Sequence, residues 1–489
     1  MKRRYRNLKQ AFFIGLVAAV GFSGCKKFLA VNNNPNNPDH ADPRTLLPTT
    51  EAAISQVIGN SFQVFGNIWA QYWTQAPTSS QYKSIDQYAP VNANFDNPWL
   101  NLYAVTLINA DLIIKSTGVG LENEKGIAYV IKAYAYQVAT DAFGDVPLTQ
   151  ALQSTGNLNP VYDKQQVVYD SIFMYINKAM PLLKANSVSP GSQDMIFNGD
   201  MDQWIAFANT LELRAYLRLS YIDPTTAHAG IAALYQTNPT FLTEDATITY
   251  TTTGGNENPF YNEMTSPTLN YVQNVVASRT ADSAFTANND PRLAKFYTLL
   301  PDDPNNGTAE SIPQGSYISY PGTQVSPPSP LVGGEADDPN SAKAPVKLIS
   351  AAESYFLQAE AVARGWAPGD ASALYKLGIQ ASFTATGAGD AATYIASAKD
   401  GMKAFTINEI KAIITQKYYA MCGFQGFEAW NEWRRTGYPD FLIQSKASTI
   451  DPGKMPLRML YPNSELTTNL HYPGTVPITT PVWWGISNP

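Results

Sequence analysis

Metal binding is the first chemistry to test, because histidine, cysteine and acidic side chains supply most of the metal ligands in proteins. The chain has three widely separated histidines, His40, His228 and His471, and contains neither CxxC nor HExxH. This pattern predicts no zinc centre. Residues 302–307, DDPNNG, are rich in oxygen ligands, but Pro304 stands where an EF-hand loop needs a ligand. We therefore expect a solvated turn there, with a structural calcium ion as the alternative, and no other cofactor.

Nucleophilic catalysis is suggested by three short patterns that resemble the signature of penicillin-binding enzymes: SxxK at Ser80 and Lys83, YxN at 175–177, and RTG at 435–437. Their contexts oppose this interpretation, because Ser80 stands in a polar loop and not at the start of a buried helix. No pair of carboxylates stands out for glycoside hydrolysis. The sequence therefore predicts a protein that is not an enzyme and has no catalytic residue.

Three reactive side chains within apolar segments have a structural interpretation. Asp141 and Glu360 lie in apolar helical stretches, where a carboxylate is expected to cap a helix or pair with a cation across a helix contact. Cys422 has no histidine near it in the sequence and is predicted to be a small core residue. None of the three is predicted to act on a substrate.

Aromatic residues are concentrated between residues 65 and 90, where a predicted helix leads into a polar loop. Aromatic rings of this kind stack on sugar rings and on peptide side chains. Tyr82 and Tyr88 lie on the polar loop and are the better candidates for ligand contacts. Trp69, Tyr72 and Trp73 are further candidates. Because Trp69 and Trp73 are four residues apart on one helix face, packing in the core is the alternative for these two.

Helical periodicity dominates the chain. Apolar residues spaced three or four apart predict five amphipathic helices, within 127–142, 168–182, 204–222, 349–366 and 410–414. Residues 350–353 and 406–409 match the capping box that begins a helix. Alanines on the apolar stripes let helices pack closely, as in tetratricopeptide-like pairs, although unequal insertions exclude a strict repeat. We predict a mostly α fold of tetratricopeptide-like helical pairs with long irregular insertions and minor β structure.

Strands and irregular segments fill the space between these helices. Residues 246–252 and 476–484 are predicted as short strands. Residues 301–345 contain nine prolines and do not continue a helix. Because the helical pattern resumes directly afterwards, this proline-rich insertion is expected to lie across a surface of the body.

The first residues predict a leader. Residues 1–24 carry five basic and no acidic residues, and an apolar run of about a dozen residues that is too short to span a membrane. Small residues at 23–24 precede Cys25, as a lipoprotein signal peptidase requires, so Cys25 is predicted to carry a lipid. A secreted protein cut nearby without lipid is the alternative. Residues 25–45 are then an extended tether and 46–489 the folded body.

Charge limits the partners of the protein. The chain carries 33 basic and 40 acidic residues, a net charge of −7, and removing residues 1–24 leaves 28 basic residues and a net charge of −12. This balance opposes a nucleic-acid partner and attraction to anionic lipid headgroups. Membrane attachment would therefore depend on acyl chains.

Several stretches together resemble the SusD/RagB family of nutrient-binding outer-membrane lipoproteins. They follow one another along the chain: CKKFLAVNNNPNNP from Cys25, ATDAFGDVPLTQAL (139–152), QWIAFANTLELRAYLRLS (203–220), NDPRL (289–293), ESYFLQAEAVARGW (353–366), GFQGFEAWNEWRRTGYP (423–439) and RMLYPNSELTTN (458–469).

The resemblance implies a helical surface lipoprotein, with palmitate on Cys25, that captures an oligosaccharide or peptide. It also implies delivery of this nutrient to a SusC-like TonB-dependent outer-membrane transporter. Lys26 and Lys27 depart from the acidic residues that often follow the lipidated cysteine in such proteins, so cell-surface placement depends on the family alone. A surface hydrolase of glycans or peptides and a helical-repeat scaffold without a small ligand are the alternatives.

Overall fold

The computed structural model of the protein describes residues 42–185, 187–265, 272–300, 309–336 and 338–486. The predicted leader, Cys25 and most of the predicted tether lie outside these residues, as does the predicted turn at 302–307. Residues 43–45, assigned to the tether from the sequence, are helical instead. No helix in the described ranges is long and apolar enough to cross a membrane.

Helices make up most of the described chain, which confirms the predicted mostly α fold. In chain order they are α1 (Pro43–Gly59), α2 (Ser61–Trp69), α3 (Lys83–Asp86), α4 (Asp96–Leu100), α5 (Ile108–Lys115), α6 (Glu122–Phe143), α7 (Gln165–Leu183), α8 (Met201–Arg218), α9 (Pro224–Gln236), α10 (Pro259–Thr265), α11 (Arg279–Thr286), α12 (Leu293–Phe296), α13 (Ala351–Ala363), α14 (Ala371–Thr386), α15 (Ala391–Ser397), α16 (Met402–Ile407), α17 (Glu409–Met421), α18 (Gly426–Thr436) and α19 (Asn463–Thr468). A π-helical turn, Asn101–Leu107, joins α4 to α5, and a 3-10 turn, Asn92–Phe95, precedes α4.

Consecutive helices pack as pairs, which confirms the predicted tetratricopeptide-like arrangement. Helix α6 packs on α7, α8 on α9, and α13 on α14, while α13 also contacts α8 and α17. Glycines bring two of these pairs close together. A Cβ atom at Gly126 of α6 would lie 2.7 Å from Leu183, and one at Gly378 of α14 would lie 2.7 Å from the Phe356 ring. The close approach depends on the missing side chain in both pairs.

Of the two predicted capping boxes, one is half formed and the other is absent. Ser350 accepts the Glu353 N–H at 3.1 Å and caps α13, but the Glu353 carboxylate points into the interior and does not complete the box. The box predicted at 406–409 is wrong. Thr406 lies within α16, and the extended Asn408 separates α16 from α17 and caps α17 by accepting the Lys411 N–H at 3.0 Å.

The β structure is minor, as predicted, and in the described ranges it consists of three antiparallel two-stranded sheets. They pair β1 (Trp73–Gln75) with β5 (Val275–Ala277), β2 (Val146–Pro147) with β3 (Tyr162–Asp163), and β4 (Ala246–Ile248) with β6 (Val346–Ile349). Strand β4 confirms the start of the prediction for 246–252. The strand predicted at 476–484 is wrong, because Pro477 and Pro481 lack the N–H that a ladder needs and Trp484 is anchored by its indole N–H to Asp141 at 2.8 Å.

The described part of the proline-rich insertion lies across the body, as predicted. Ile312, Tyr317 and Val325 are buried against Val276 of β5. An isolated bridge joins Tyr297 to Pro328 on the same side of the body. The insertion therefore covers the sheet formed by β1 and β5.

A buried ion network joins α6, α8, α13, α17 and α18. It contains five cations and five carboxylates: Arg214, Arg218, Arg364, Lys417 and Arg435, with Asp141, Glu353, Glu360, Glu428 and Glu432. Their side chains are at most 9% exposed except that of Arg364, which is 13% exposed. Equal numbers of opposite charges meet inside the protein, which offsets part of the cost of removing them from water. The structural role predicted for Asp141 and Glu360 is confirmed.

Arg435 of α18 makes the most extensive contacts in this network. Its guanidinium donates to both oxygens of Glu360, each at 2.7 Å, and to both oxygens of Glu432, at 3.2 and 2.6 Å. Burial alone would raise the pKa of Glu360, but Arg435 and Arg364 hold it below its usual value. Helix α18 then ends at Gly437, whose φ of 74° is the left-handed conformation that glycine adopts readily.

Candidate ligand-binding groove

The structure contradicts most of the ligand contacts predicted from the aromatic residues. Four of them are at most 1% exposed, namely Trp69, Tyr72, Trp73 and Tyr88. Their ring faces are occupied by protein: Tyr72 stacks on Tyr418 with centroids 4.3 Å apart. The Trp73 ring stacks on Phe260 at 4.9 Å. These four side chains belong to the core and offer no face to a ligand, and for Trp69 and Trp73 the core alternative was correct.

The polar loop that was predicted to carry Tyr82 and Tyr88 packs against the body because the Asp86 carboxylate binds other segments of the chain. Asp86 accepts hydrogen bonds from the Thr74 hydroxyl at 2.6 Å and the Gln75 N–H at 2.9 Å. It also accepts from the Gln314 amide, in the proline-rich insertion, at 2.7 Å. Burial raises the pKa of Asp86 despite these donors. Tyr88 lies two residues after Asp86 and is therefore buried as well.

A groove of about 220 Å³ lies beside this loop, and we call it the amide groove. Its floor is formed by Val64, Phe65, Tyr82 and Ile85. Its walls carry six polar residues, Asn60, Ser61, Gln81, Asn94, Asn97 and Glu263. Tyr82 is 6% exposed, so it reaches the groove with only a small part of its ring and is a floor residue, not the open stacking platform that we predicted.

Four chain segments position these residues. Helix α2 starts directly after Asn60, and its first turns place Val64 and Phe65 on the floor. Gln81 precedes α3, and the 3-10 turn with α4 supplies Asn94 and Asn97. Helix α10 supplies Glu263 from a distant part of the chain.

Hydrogen bonds between the walls hold the groove open. The Gln81 amide donates to Oε1 of Glu263 at 3.3 Å, and the Asn60 amide donates to Oε2 at 3.5 Å. Asn94 accepts the N–H of Val91 at 2.8 Å through its carbonyl oxygen. These contacts tie α2, the loop before α3 and α10 to one another.

Several polar groups of the groove have no hydrogen bond within the described part of the chain. They are the amide nitrogens of Asn94 and Asn97 and the carbonyl oxygen of Gln81. Asn97 uses only its carbonyl oxygen, which accepts from Asn101 at 3.0 Å. The groove therefore offers both donors and an acceptor to a ligand.

The electrostatics of the groove favour an uncharged ligand. Among the described residues, no lysine, arginine or histidine lines it, and Glu263 is its one carboxylate. Burial, followed by the charge of Glu263, raises the pKa of Tyr82 well above its usual value, so the hydroxyl stays neutral at physiological pH. An anionic ligand would meet Glu263 without a cation to offset the repulsion.

The groove is not equipped for the hydrolytic chemistry considered from the sequence. Glycoside hydrolysis needs two carboxyl groups facing one bond, whereas Glu263 stands alone here. The three penicillin-binding patterns also lie in different surroundings. Lys83 stands over the Tyr317 ring at 5.7 Å, whereas Arg435 is bound within the ion network. In the described ranges, no group of three metal-ligating side chains is present.

Cys422 is a core residue, as predicted. It is fully buried and lies 3.6 Å from the Tyr297 hydroxyl. Burial raises the pKa of its thiol, so the nucleophilic thiolate is suppressed.

Asn94, Asn97 and Glu263 line the groove but were not predicted from the sequence. The Asn-rich stretch NANFDN, residues 92–97, was a usable signal, since asparagine side chains in a turn before a helix are often exposed hydrogen-bonding groups. Glu263 gave no comparable signal, because it reaches the groove from a separate helix.

Comparison with known proteins gives the class of protein to which this arrangement of helical pairs and a polar groove belongs. A family model described as "Starch-binding associating with outer membrane", SusD-like, matches residues 35–462. The chain therefore belongs to the SusD-like family, as the sequence resemblance indicated. A search of curated proteins found no significant match.

Solved structures of SusD homologues share the fold. A chitin-binding SusD homologue from Flavobacterium johnsoniae is 24% identical, with a TM-score of 0.75 over 91% of this chain and 99% of that one. A SusD homologue from Bacteroides uniformis is 23% identical, with a TM-score of 0.76 over 90% and 99%. A SusD/RagB family protein from Bacteroides thetaiotaomicron is 23% identical, with a TM-score of 0.73 over 91% and 100%.

Proposed function

We propose that this protein captures a neutral oligosaccharide in the amide groove and delivers it to a SusC-like TonB-dependent outer-membrane transporter. The observation that carries the ligand class is the lining of the groove, which combines unpaired amides with an apolar floor and, in the part of the chain that the structure describes, includes no cation. Sugar hydroxyls donate and accept hydrogen bonds, and the apolar faces of sugar rings pack on apolar or aromatic surfaces. The family description and the chitin-binding homologue support a glycan.

Calorimetric titration with chitotetraose and maltotetraose tests the ligand class. Replacing Asn94 and Asn97 together by alanine removes two hydrogen-bond donors, each worth about 0.5–1.5 kcal/mol. The expected loss of affinity is therefore about 5- to 150-fold for the oligosaccharide that binds. Asn262→Ala is the matched control, because Asn262 is exposed on α10 beside Glu263 but does not line the groove. Equal affinities in the two variants would contradict the placement of the site.

The same purified protein also distinguishes the three alternative functions, namely peptide binding, hydrolysis and a scaffold role. Binding of a short peptide, but of neither oligosaccharide, would overturn the proposed ligand class. Product released from an oligosaccharide and abolished by Glu263→Gln would identify a hydrolase. Absence of binding by any of these ligands would favour a helical-repeat scaffold.

The lipid anchor rests on the sequence around Cys25 and on the family. We propose that palmitate and the other acyl chains on Cys25 hold the body at the cell surface through the tether. Metabolic palmitate labelling should be lost in Cys25→Ala and retained in Cys422→Ala, since Cys422 is buried. Labelling that persists in Cys25→Ala would refute the anchor.

Transfer to a transporter is tested by isolating the tagged protein from outer membranes in mild detergent. A SusC-like barrel should copurify in a stable ratio, and Asn94→Ala with Asn97→Ala should leave this association intact. If no barrel copurifies even after crosslinking, the delivery role is wrong, whereas oligosaccharide binding would stand.

A further inference from the structure

A second groove, of about 410 Å³, lies on a different part of the body and has a different chemistry. We call it the Phe441 groove, and helix α11 runs along one wall. The helix places Arg279 at one end and Ala284 along its length, and Ala287 caps its other end. Phe441 and Ile443 also line the groove. Because an α-helix rises about 1.5 Å per residue, the wall from Arg279 to Ala287 is about 12 Å long.

The two ends of the Phe441 groove differ in charge. Asn288 follows α11 and donates its amide to Asp400 at 2.8 Å, so Asp400 and its neighbour Lys399 mark the far end. A cation and a carboxylate at that end leave little net charge. At the near end Arg279 donates to the Ser311 carbonyl at 2.5 Å, and no carboxylate lies beside it among the described residues that line the groove. Asp282, one turn further along α11, lies outside this lining, and the charge of Arg279 offsets part of the rise in its pKa that burial causes.

Arg279 is a cation without an ion pair within 4.0 Å among the residues that the structure describes. Its guanidinium also lies 6.0 Å from the Tyr320 ring, which orients it beside the groove. Free cationic donors at the end of an apolar groove favour a carboxylate, to which arginine can donate two parallel hydrogen bonds.

The middle of the groove favours an apolar body over a sugar or a peptide backbone. Ile443 is 44% exposed and Phe441 is half-buried, so both retain surface for a ligand. The polar groups beneath them are already paired: the Asp400 carboxylate accepts from Tyr419 at 2.7 Å, and the Asn288 carbonyl accepts the Asp400 N–H at 2.7 Å. Few hydrogen-bonding groups are left for the many donors and acceptors of a sugar.

We propose that the Phe441 groove binds a small amphipathic monocarboxylate, with its acid group on Arg279 and its apolar body between Ala284 and Phe441. The ligand class differs from that of the amide groove, whose described lining contains no cation. The protein would therefore hold two independent sites, one for a neutral ligand and one for an anion.

The probe is 4-phenylbutanoate, whose extended length is close to that of the groove, titrated by calorimetry into the full mature protein. Its neutral amide should bind about tenfold more weakly, the size of one hydrogen bond to a charged group. Arg279→Gln should cause a loss of the same size, about tenfold. Lys399→Gln is the matched control and should change the affinity by less than about threefold, because Lys399 stands at the far end of the groove, where the adjacent Asp400 leaves little net charge.

Two further measurements keep the two sites distinct. Phe441→Ala should weaken 4-phenylbutanoate binding about fivefold through lost apolar contact, while the double alanine variant at Asn94 and Asn97 should leave it unchanged. The proposal is overturned if 4-phenylbutanoate does not bind at millimolar concentration. It is also overturned if 4-phenylbutylamine binds equally well, or if Arg279→Gln and Lys399→Gln have the same effect.

Discussion

Removing one cation from the buried ion network should destabilise the whole body, and Arg435 is the position to test. Arg435→Met keeps most of the side-chain volume but deletes the four hydrogen bonds to Glu360 and Glu432. It also deletes the bonds to the Leu217 carbonyl at 3.2 Å and the Ser220 hydroxyl at 2.9 Å. The two carboxylates stay buried with fewer partners, which costs about 3–5 kcal/mol in comparable pairs.

The ion-pair partners that Glu360 and Glu432 keep in Arg435→Met determine where the loss of unfolding free energy falls between about 3 and 5 kcal/mol. Glu360 keeps Arg364 at 2.8 Å, and Glu432 keeps Arg218 at 2.6 Å, so the loss should lie near the lower end, about 3 kcal/mol. For a cooperative body of this length the unfolding entropy is roughly 0.9 kcal/mol per kelvin. The loss of about 3 kcal/mol in Arg435→Met should therefore lower the melting temperature by about 3 °C.

Thermal unfolding followed by circular dichroism measures this change. Lys411→Met is the matched control, since its ion pair with Asp440 has side chains 42% and 57% exposed and should contribute at most about 1 kcal/mol. Adding Glu360→Gln to Arg435→Met should cost less than the sum of the two single changes, because it removes the carboxylate left unpaired. If Arg435→Met lowers the melting temperature no more than Lys411→Met, the assigned role of the network is refuted.

Two other changes probe the pH dependence and the packing. Burial raises the pKa of Glu212 to about 7 from 4.5. The folded protein therefore keeps a proton that the unfolded chain loses, and stability should fall as pH rises from about 4.5 to 7. Glu212→Gln should remove this slope and raise the unfolding free energy at pH 8 by roughly 3 kcal/mol, with no gain at pH 4; a gain at both would refute the titration. Gly66→Ala would place a Cβ atom 2.1 Å from the Phe427 backbone nitrogen and should lower the melting temperature by several degrees, whereas Gly254→Ala, with open space around it, should not, and equal effects would contradict the tight packing.

The sequence predicted those parts of the fold that depend on neighbouring residues. The stripes of α6, α8 and α13 were recognised because a period of 3.6 residues is local. The partners of Asp141 and Glu360 were not predictable in the same way, because they come from other helices. Arg435 and Glu360, for example, are 75 positions apart in the chain.

The candidate site was located only approximately for the same reason. The polar loop was recognised, and Gln81 and Tyr82 do line the amide groove. Tyr88 was placed at the ligand because nothing in the local pattern shows that Asp86 is bound by Gln314, 228 positions away. Asn60 and Glu263 meet across 203 positions, so the groove itself exists only after the body has folded.

Helix α2 carries the floor of the amide groove on one side and the backbone contact at Gly66 on the other. Two floor residues, Val64 and Phe65, thus belong to a helix whose backbone contacts the Phe427 backbone closely, while Asn94 and Asn97 lie on a surface turn. Asn97 is exposed, so mutation there should cost little stability, whereas Val64 and Phe65 are buried and their mutation should cost more. Ligand preference in related chains should therefore change mainly through substitutions in the polar walls of the amide groove, and these chains should differ there before they differ in the floor.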